Sequence, residues 1–246
     1  MRIIGLVLAL PILALLFALL ERWFGALPHK SVFRRERLPD FGFWFLTPLV
    51  SHTLSSLVIG AAVLLIGGQS QTWFTAQAKT LQIIETLVAA DLLGYLGHRA
   101  FHRRPLWRIH AVHHSAVDLD WLAATRVHPL NEIGMRLFQV VPLYLLGFRG
   151  GALAAVAPIL TIWAVVVHDN LRWDLGPLRY IITSPAFHRW HHTSEEDGLD
   201  KNFAGLFPWI DALCGTFYLP RGRQPVRFGV ARVEGPAPHQ VIATAR

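Results

Sequence analysis

Thirteen histidines stand in this chain of 246 residues, and eight of them fall into three tight groups. HRAFH holds His98 and His102, HAVHH holds His110, His113 and His114, and HRWHH holds His188, His191 and His192. Along a helix each residue advances by about 100°, so positions four apart lie within about 40° on one face. His98 and His102 form such a pair, and each triplet fits within about 100° of arc. Imidazoles crowded in this way repel one another when protonated and add little packing when neutral. A metal removes both difficulties, because neutral imidazole is a common ligand for zinc, copper, iron and nickel. One ion rarely takes more than about four to six ligands, so eight or more histidines require two ions. His29, His52 and His239 stand alone and are read as ordinary core or surface residues.

The elements that must carry these groups are apolar. The chain is 53% hydrophobic and only 16% charged, against about 25% charged residues in soluble domains, which points to lipid as the solvent for much of it. Ile3–Leu20 is an unbroken apolar run of eighteen residues, long enough to cross a bilayer core of about 30 Å. It lacks a convincing small-residue cleavage site and is read as a retained span rather than a signal peptide. Phe43–Ile66 is the second candidate span and Leu81–Gly97 the third, running directly into His98. Two shorter stretches, Leu130–Phe148 and Ala152–Val167, form either a crossing pair or a partly inserted hairpin; Pro142 and Pro158 interrupt them. Pro105 separates the first histidine pair from the first triplet and marks the end of a helix. The expected fold is all-α, an integral membrane helical bundle of four to five spans, or with that hairpin partly inserted, beneath a cytoplasmic histidine-rich helical cap. One membrane domain covers 1–246. Within it, 1–84 hold the N-terminal spans and a basic loop, 85–218 the histidine region, and 219–246 a loosely ordered basic tail.

The formal net charge of +7 does not describe a nucleic-acid footprint. Basic residues sit between apolar segments, as in KSVFRRER at 30–37 and RGRQPVR at 221–227, where loops facing the cytoplasm carry them. The bias toward Lys and Arg after the first span places residues 21–42 inside, the N-terminus outside, and both histidine clusters on the cytoplasmic face. Cys214 is the sole cysteine, which excludes a disulfide framework and a cysteine-held zinc or iron–sulfur site.

With these motifs in order, the sequence resembles the fatty acid hydroxylase superfamily of membrane di-iron oxygenases, which includes sterol desaturases, sterol methyl oxidases and alkylglycerol monooxygenase. HRAFH, HAVHH and HRWHH match the family's HxxxH, HxxHH and second HxxHH boxes; DLLGYLGHR, RVHPLNE, HDN and KNFAGLFPWIDALCGTF match its flanking segments. The likeness covers roughly residues 85–218. It implies two iron ions held by His98, His102, His110, His113, His114, His188, His191 and His192, with His168 of HDN as a further ligand and zinc as a possible substitute. His128 of RVHP matches as a ligand or an outer contact. KNFAG stands where NYG is more usual, so Phe203 lacks an aromatic hydroxyl. Asp91, Tyr95, His98 and His102 share a helical face, which lets Asp91 either orient a ligand histidine or form a polar contact between helices. Asn170 and Asn202 are candidate outer-contact or substrate-side groups. Asp118, Asp120, Glu195, Glu196 and Asp197 read as solvated loop charges, and Trp107, Trp121 and Trp190 as interfacial or packing residues.

The resemblance further implies O2 as cosubstrate, a membrane lipid as substrate, and hydroxylation, desaturation or ether cleavage at an unactivated C–H bond. The chain has no G-x-G-x-x-G fingerprint and no cysteine cluster, so electrons come from a separate donor, a ferredoxin or cytochrome with its reductase. A basic cytoplasmic face suits an acidic partner. The alternatives are a zinc-dependent membrane lipid hydrolase, which ordinarily recruits a carboxylate base, and a metal transporter, which would place its histidines inside the spans.

Overall fold

The computed structural model describes residues 2–28, 37–66, 72–148 and 150–230. Lys30, Arg34, Arg35, His29, Arg149 and the tail from 231, with His239, lie outside the described residues. In chain order the helices are α1 (Arg2–Phe24), α2 (Leu38–Leu46), α3 (His52–Ile66), α4 (Thr72–Thr75), α5 (Lys79–Phe101), α6 (Trp107–His114), α7 (Pro129–Leu145), α8 (Gly150–His168), α9 (Pro185–His191) and α10 (Trp209–Leu213). A π-helical turn over Thr47–Ser51 joins α2 to α3 without a break. Among the described residues there is no strand, only the isolated bridges Gly25 to Leu171 and Thr193 to Phe228.

Four helical segments among the described residues are long and apolar enough to cross a membrane: Ile3–Phe24, Leu38–Leu65, Lys79–Phe101 and Gly150–His168. Their large apolar side chains point mostly outward, with Leu64 and Leu65 more than four-fifths exposed. Such a surface is stable only against lipid, and the fold is that of an integral membrane helical bundle. Of the two shorter stretches, α8 has the length to cross, whereas α7, at 17 residues, covers about 25 Å. It nonetheless runs beside α5 for most of its length. Gln139 Nε2 donates to the Ala90 carbonyl at 3.2 Å, and Leu143 packs with Phe74, Phe148, Ala152 and Val156 at the end remote from the histidines. Gly97 and Gly134 permit this approach: a Cβ at Gly97 would lie 2.9 Å from Phe138 Cβ, and one at Gly134 2.6 Å from the Phe101 ring.

The opposite end is polar and tied together by ion pairs. Arg37 meets Asp120 at 2.6 Å and Arg126 meets Asp40 at 2.5 Å, all four side chains being buried. Asp120 therefore differs from the solvated loop charge expected: it also accepts the Leu122 N–H and begins the 3-10 turn Trp121–Thr125. Phe17 stacks on Trp121 at 5.4 Å and Trp44 meets the same ring edge-on, so α1, α2 and this turn share one core. The cap is held by two carboxylates. Asp91 accepts the N–H groups of Gly205, Leu206 and Phe207, and Asp211 those of Phe203 and Ala204. From Pro220 as far as residue 230 the chain is bonded to the cap. Glu195 accepts the Val226 N–H at 2.7 Å, Thr193 Oγ1 donates to the Arg227 carbonyl, and the Arg189 guanidinium lies over the Phe228 ring.

Replacing Asp120 with Ala leaves the buried Arg37 guanidinium without its carboxylate and is expected to lower stability by about 3–5 kcal/mol. Asp197→Ala removes a pair with Arg223 exposed on both sides and an exposed hydrogen bond from the Tyr218 hydroxyl, and is expected to change stability by less than about 1 kcal/mol. Thermal unfolding of the detergent-solubilised variants checks this; equal midpoints would contradict it.

Candidate metal centre

Four helices and their ends bring nine imidazoles together. The last turn of α5 supplies His98 and, at its C-cap, His102; α6 supplies His110, His113 and His114. His168 closes α8, and α9 with its C-cap supplies His188, His191 and His192. The α9 helix begins with a serine cap, Ser184 Oγ accepting the Phe187 N–H, followed by proline at the first position, a strong local start signal.

The rings sort into two groups. His98, His102, His110, His114 and His191 form one; His113, His168, His188 and His192 form the other, and within each, one nitrogen from every ring lies within 4.8 Å of the others. Each HxxHH triplet is divided between them, because a three-residue step swings the ring to the neighbouring group while a four-residue step keeps it. The groups adjoin: His114 stacks on His192 with centroids 4.3 Å apart. Eight of the nine are buried and His98 is half-buried.

Hydrogen bonds at the outer nitrogens fix the chemistry of the inner ones. His113 Nδ1 faces the Arg126 carbonyl at 3.2 Å, His168 Nδ1 the Ala164 carbonyl at 2.6 Å, His98 Nδ1 the Phe203 carbonyl at 2.8 Å and His191 Nδ1 the Lys201 carbonyl at 2.8 Å. A carbonyl only accepts, so each Nδ1 carries the hydrogen and donates it. The Nε2 of a neutral ring is then a bare lone pair. Yet His168 Nε2 lies 3.2 Å from His113 Nε2, and neither has a hydrogen to give. In the other group His98 Nε2 lies 3.1 Å from His110 Nε2, whose Nδ1 is held by the Asn131 side-chain oxygen at 2.9 Å. Buried besides, with no hydrogen-bond partner, are His102 Nε2 and His191 Nε2. Converging lone pairs at buried rings fit a cation between them, and the donor set suits a metal ion in each group.

Burial holds His102, His110, His113, His114, His188, His191 and His192 well below the usual imidazole range, and repulsion among the neighbouring rings pushes them further the same way. They are neutral at pH 7, the form that ligates.

The remaining sequence candidates have other partners. His128 lies outside both groups; its Nδ1 accepts the Leu130 N–H at 3.1 Å and caps α7. Asp91 touches no histidine, but the loop it grips carries the Phe203 carbonyl that holds His98. Asn170 bonds twice to the backbone of Leu27, and Asn202 bridges Phe187 and Tyr218. His52 stands 3.5 Å from Glu132. The ring of Phe203 packs 4.9 Å from that of His102, filling the place of the missing phenol with an apolar wall. Trp107 packs 5.1 Å from the same ring. Asn131 and Asp200, which hold His110 and His102, escaped the sequence reading. Asn131 lies in the quoted RVHPLNE segment, three residues beyond His128, and was the available signal.

Residues 83–216 match the fatty acid hydroxylase family, and the chain belongs to it. It is 31% identical over 152 residues to the ornithine lipid hydroxylase OlsE of Rhizobium tropici, covering 61% of this chain and 46% of that protein. It is 28% identical to the alkylglycerol monooxygenase of Caenorhabditis elegans, over 58% and 28% of the two chains. The very-long-chain aldehyde decarbonylase GL1-1 of Oryza sativa subsp. indica is 32% identical over 53% and 22%. The match thus spans less than half the length of each of these relatives. No solved structure matches the chain.

The lowered imidazoles set a pH dependence for the chelator-treated chain. Below the ordinary value of 6.5 the unfolded rings take up protons that the folded ones refuse. The folded state therefore binds fewer protons, and stability falls as pH falls through 6.5. Denaturation midpoints at pH 7 and pH 5 are expected to differ, with the lower at pH 5; equal midpoints would contradict a cluster of buried neutral rings.

Proposed function

We propose that this chain is a membrane-bound, O2-dependent di-iron lipid hydroxylase or desaturase, related to the sterol desaturases, drawing its electrons from a separate carrier protein. The observation that carries the reading is the pair of adjoining all-imidazole groups at the ends of lipid-facing helices. His98, His102, His110, His114 and His191 would hold one iron, and His113, His168, His188 and His192 the other. Two irons so held would supply the activation of O2 for attack on an unactivated C–H bond. Hydroxylation balances as C–H + O2 + 2 electrons + 2 protons giving C–OH + H2O.

The protein's own part is positional. Nδ1 hydrogen bonds fix His98, His102, His110, His113, His168 and His191, burial keeps the rings of α6 and α9 neutral, and the Phe203 side chain closes the first group with an apolar surface. That α5 and α8 end within the two groups supports a substrate delivered from the bilayer. Relatives named as an ornithine lipid hydroxylase and an alkylglycerol monooxygenase support a lipid substrate and insertion of oxygen. The basic residues between the spans support a cytoplasmic cap.

A zinc hydrolase is the second reading, since imidazole binds zinc equally well. Five donors in one group exceed the four that zinc ordinarily takes, and among the described residues neither group includes a carboxylate to act as base. Iron accommodates the larger set.

Chain loaded with Fe(II) under argon, supplied with membrane lipid extract and dithionite, then given 18O2, is expected to yield a lipid carrying the isotope, or one lighter by two hydrogens. Lipid cleavage independent of O2 would overturn the oxygenase reading in favour of the hydrolase. His113→Ala and His191→Ala are expected to abolish the product and lower bound iron, while His239→Ala does neither. NAD(P)H alone is expected not to sustain turnover of the purified chain; turnover with it would remove the separate donor.

A further inference from the structure

The hydrogen-bond partners of the nine rings differ in one respect. Four outer nitrogens face backbone carbonyls and one faces the buried Asn131. Of the nine rings, His102 alone is held by a carboxylate among the described residues: its Nδ1 lies 3.2 Å from Asp200 Oδ1, and the Asp200 side chain is 41% exposed. Through His102 the five-histidine group has a two-residue path to the surface. Beside it Trp107, half-buried, packs 5.1 Å from the His102 ring and 5.3 Å from that of His114.

The surface around that path is basic. The charges of Arg103, Arg99 and Lys201 act directly on Asp200; Arg103 and Arg104 are exposed between α5 and α6, and Arg108 is exposed in the first turn of α6. Of the acidic groups nearby on the cap, Asp197 pairs with Arg223 at 3.2 Å and Glu195 accepts backbone N–H groups from Val226 and Arg227, while Glu196 is exposed.

Resting on the oxygenase reading above, we propose that this patch, centred on Asp200 with Arg99, Arg103 and Lys201 about it and continued by Arg104 and Arg108 along the connection into α6, is where an acidic one-electron carrier protein docks and delivers electrons through Asp200 and His102. Two dockings supply the two electrons of each turnover; each oxidises one carrier, and the electrons leave with the oxygen atom reduced to water. A positive patch speeds encounter with a negative partner without needing a large interface, as suits a transient redox contact.

The test uses the full chain in phosphatidylcholine nanodiscs and a plant-type [2Fe–2S] ferredoxin as the acidic probe. Binding of oxidised ferredoxin is read first, and it does not depend on turnover. Arg103→Glu combined with Arg108→Glu is expected to raise Kd by about tenfold at low salt, with the difference vanishing near 0.5 M salt, about where screening is complete. Arg221→Glu, on another part of the cap, is expected to leave Kd within about twofold. Iron content and dithionite-driven lipid oxidation are expected to be unchanged in both. Asp200→Asn is expected to slow ferredoxin-driven turnover more than dithionite-driven turnover. Equal Kd for the double variant and the wild type overturns the proposal, as does a variant that loosens only from vesicles containing phosphatidylglycerol, which would make the patch a lipid contact. Failure of the wild type to oxidise lipid with dithionite counts against the oxygenase reading and leaves the binding result to be judged by itself.

Discussion

Lone pairs that face each other at hydrogen-bond distance with no hydrogen between them are the constraint on which the rest of this molecule depends. His113 and His168 each commit their one hydrogen to a backbone carbonyl, so the 3.2 Å contact between their inner nitrogens is repulsive unless a cation lies among them. Contacts of 3.1 Å link His188 to His168 and His192 to His188 in the same group. Nothing in neutral imidazole packing would assemble such a cluster. The helices around it must hold it against its own electrostatics until a metal is bound.

That work is spread over contacts remote from the rings. Arg126 gives its carbonyl to His113 and its guanidinium to Asp40 on α2, so an ion pair between distant segments sets one ring's orientation. Asp91 and Asp211 together satisfy five consecutive N–H groups, Phe203 to Phe207. Through the Phe203 carbonyl they place His98. A carboxylate accepting several N–H groups is an economical anchor for a loop with no regular structure, since orphaned N–H groups in a buried loop are costly. The lipid-facing helices contribute by ending where they do, α5 and α8 each delivering histidine at its last turn.

The histidine groups were legible because their chemistry resides in side chains at helical spacing, and the spans because apolar runs of that length have one natural solvent. The division of each HxxHH triplet between two groups was not legible, since it follows from how α6 and α9 face one another. The partners of the outer nitrogens were hidden for a different reason. Most are backbone carbonyls, which every residue possesses, and the choice among them is made by packing between segments as far apart as His98 and Phe203. Asp120 looked like a loop charge because its arginine lies more than eighty residues away. Asp91 shares a helical face with His98 and His102, which leaves open whether it orients a ligand or makes a polar contact between segments, and its carboxylate reaches the loop over Gly205–Phe207.

Metal titration of the chelator-treated chain under argon tests the central claim most directly. Calorimetry with Fe(II), checked by elemental analysis, is expected to saturate at two ions per chain, with His113→Ala and His191→Ala each losing one ion while keeping the other. Saturation at one ion, or no binding at all, would contradict two adjoining groups of imidazole built to hold a metal each.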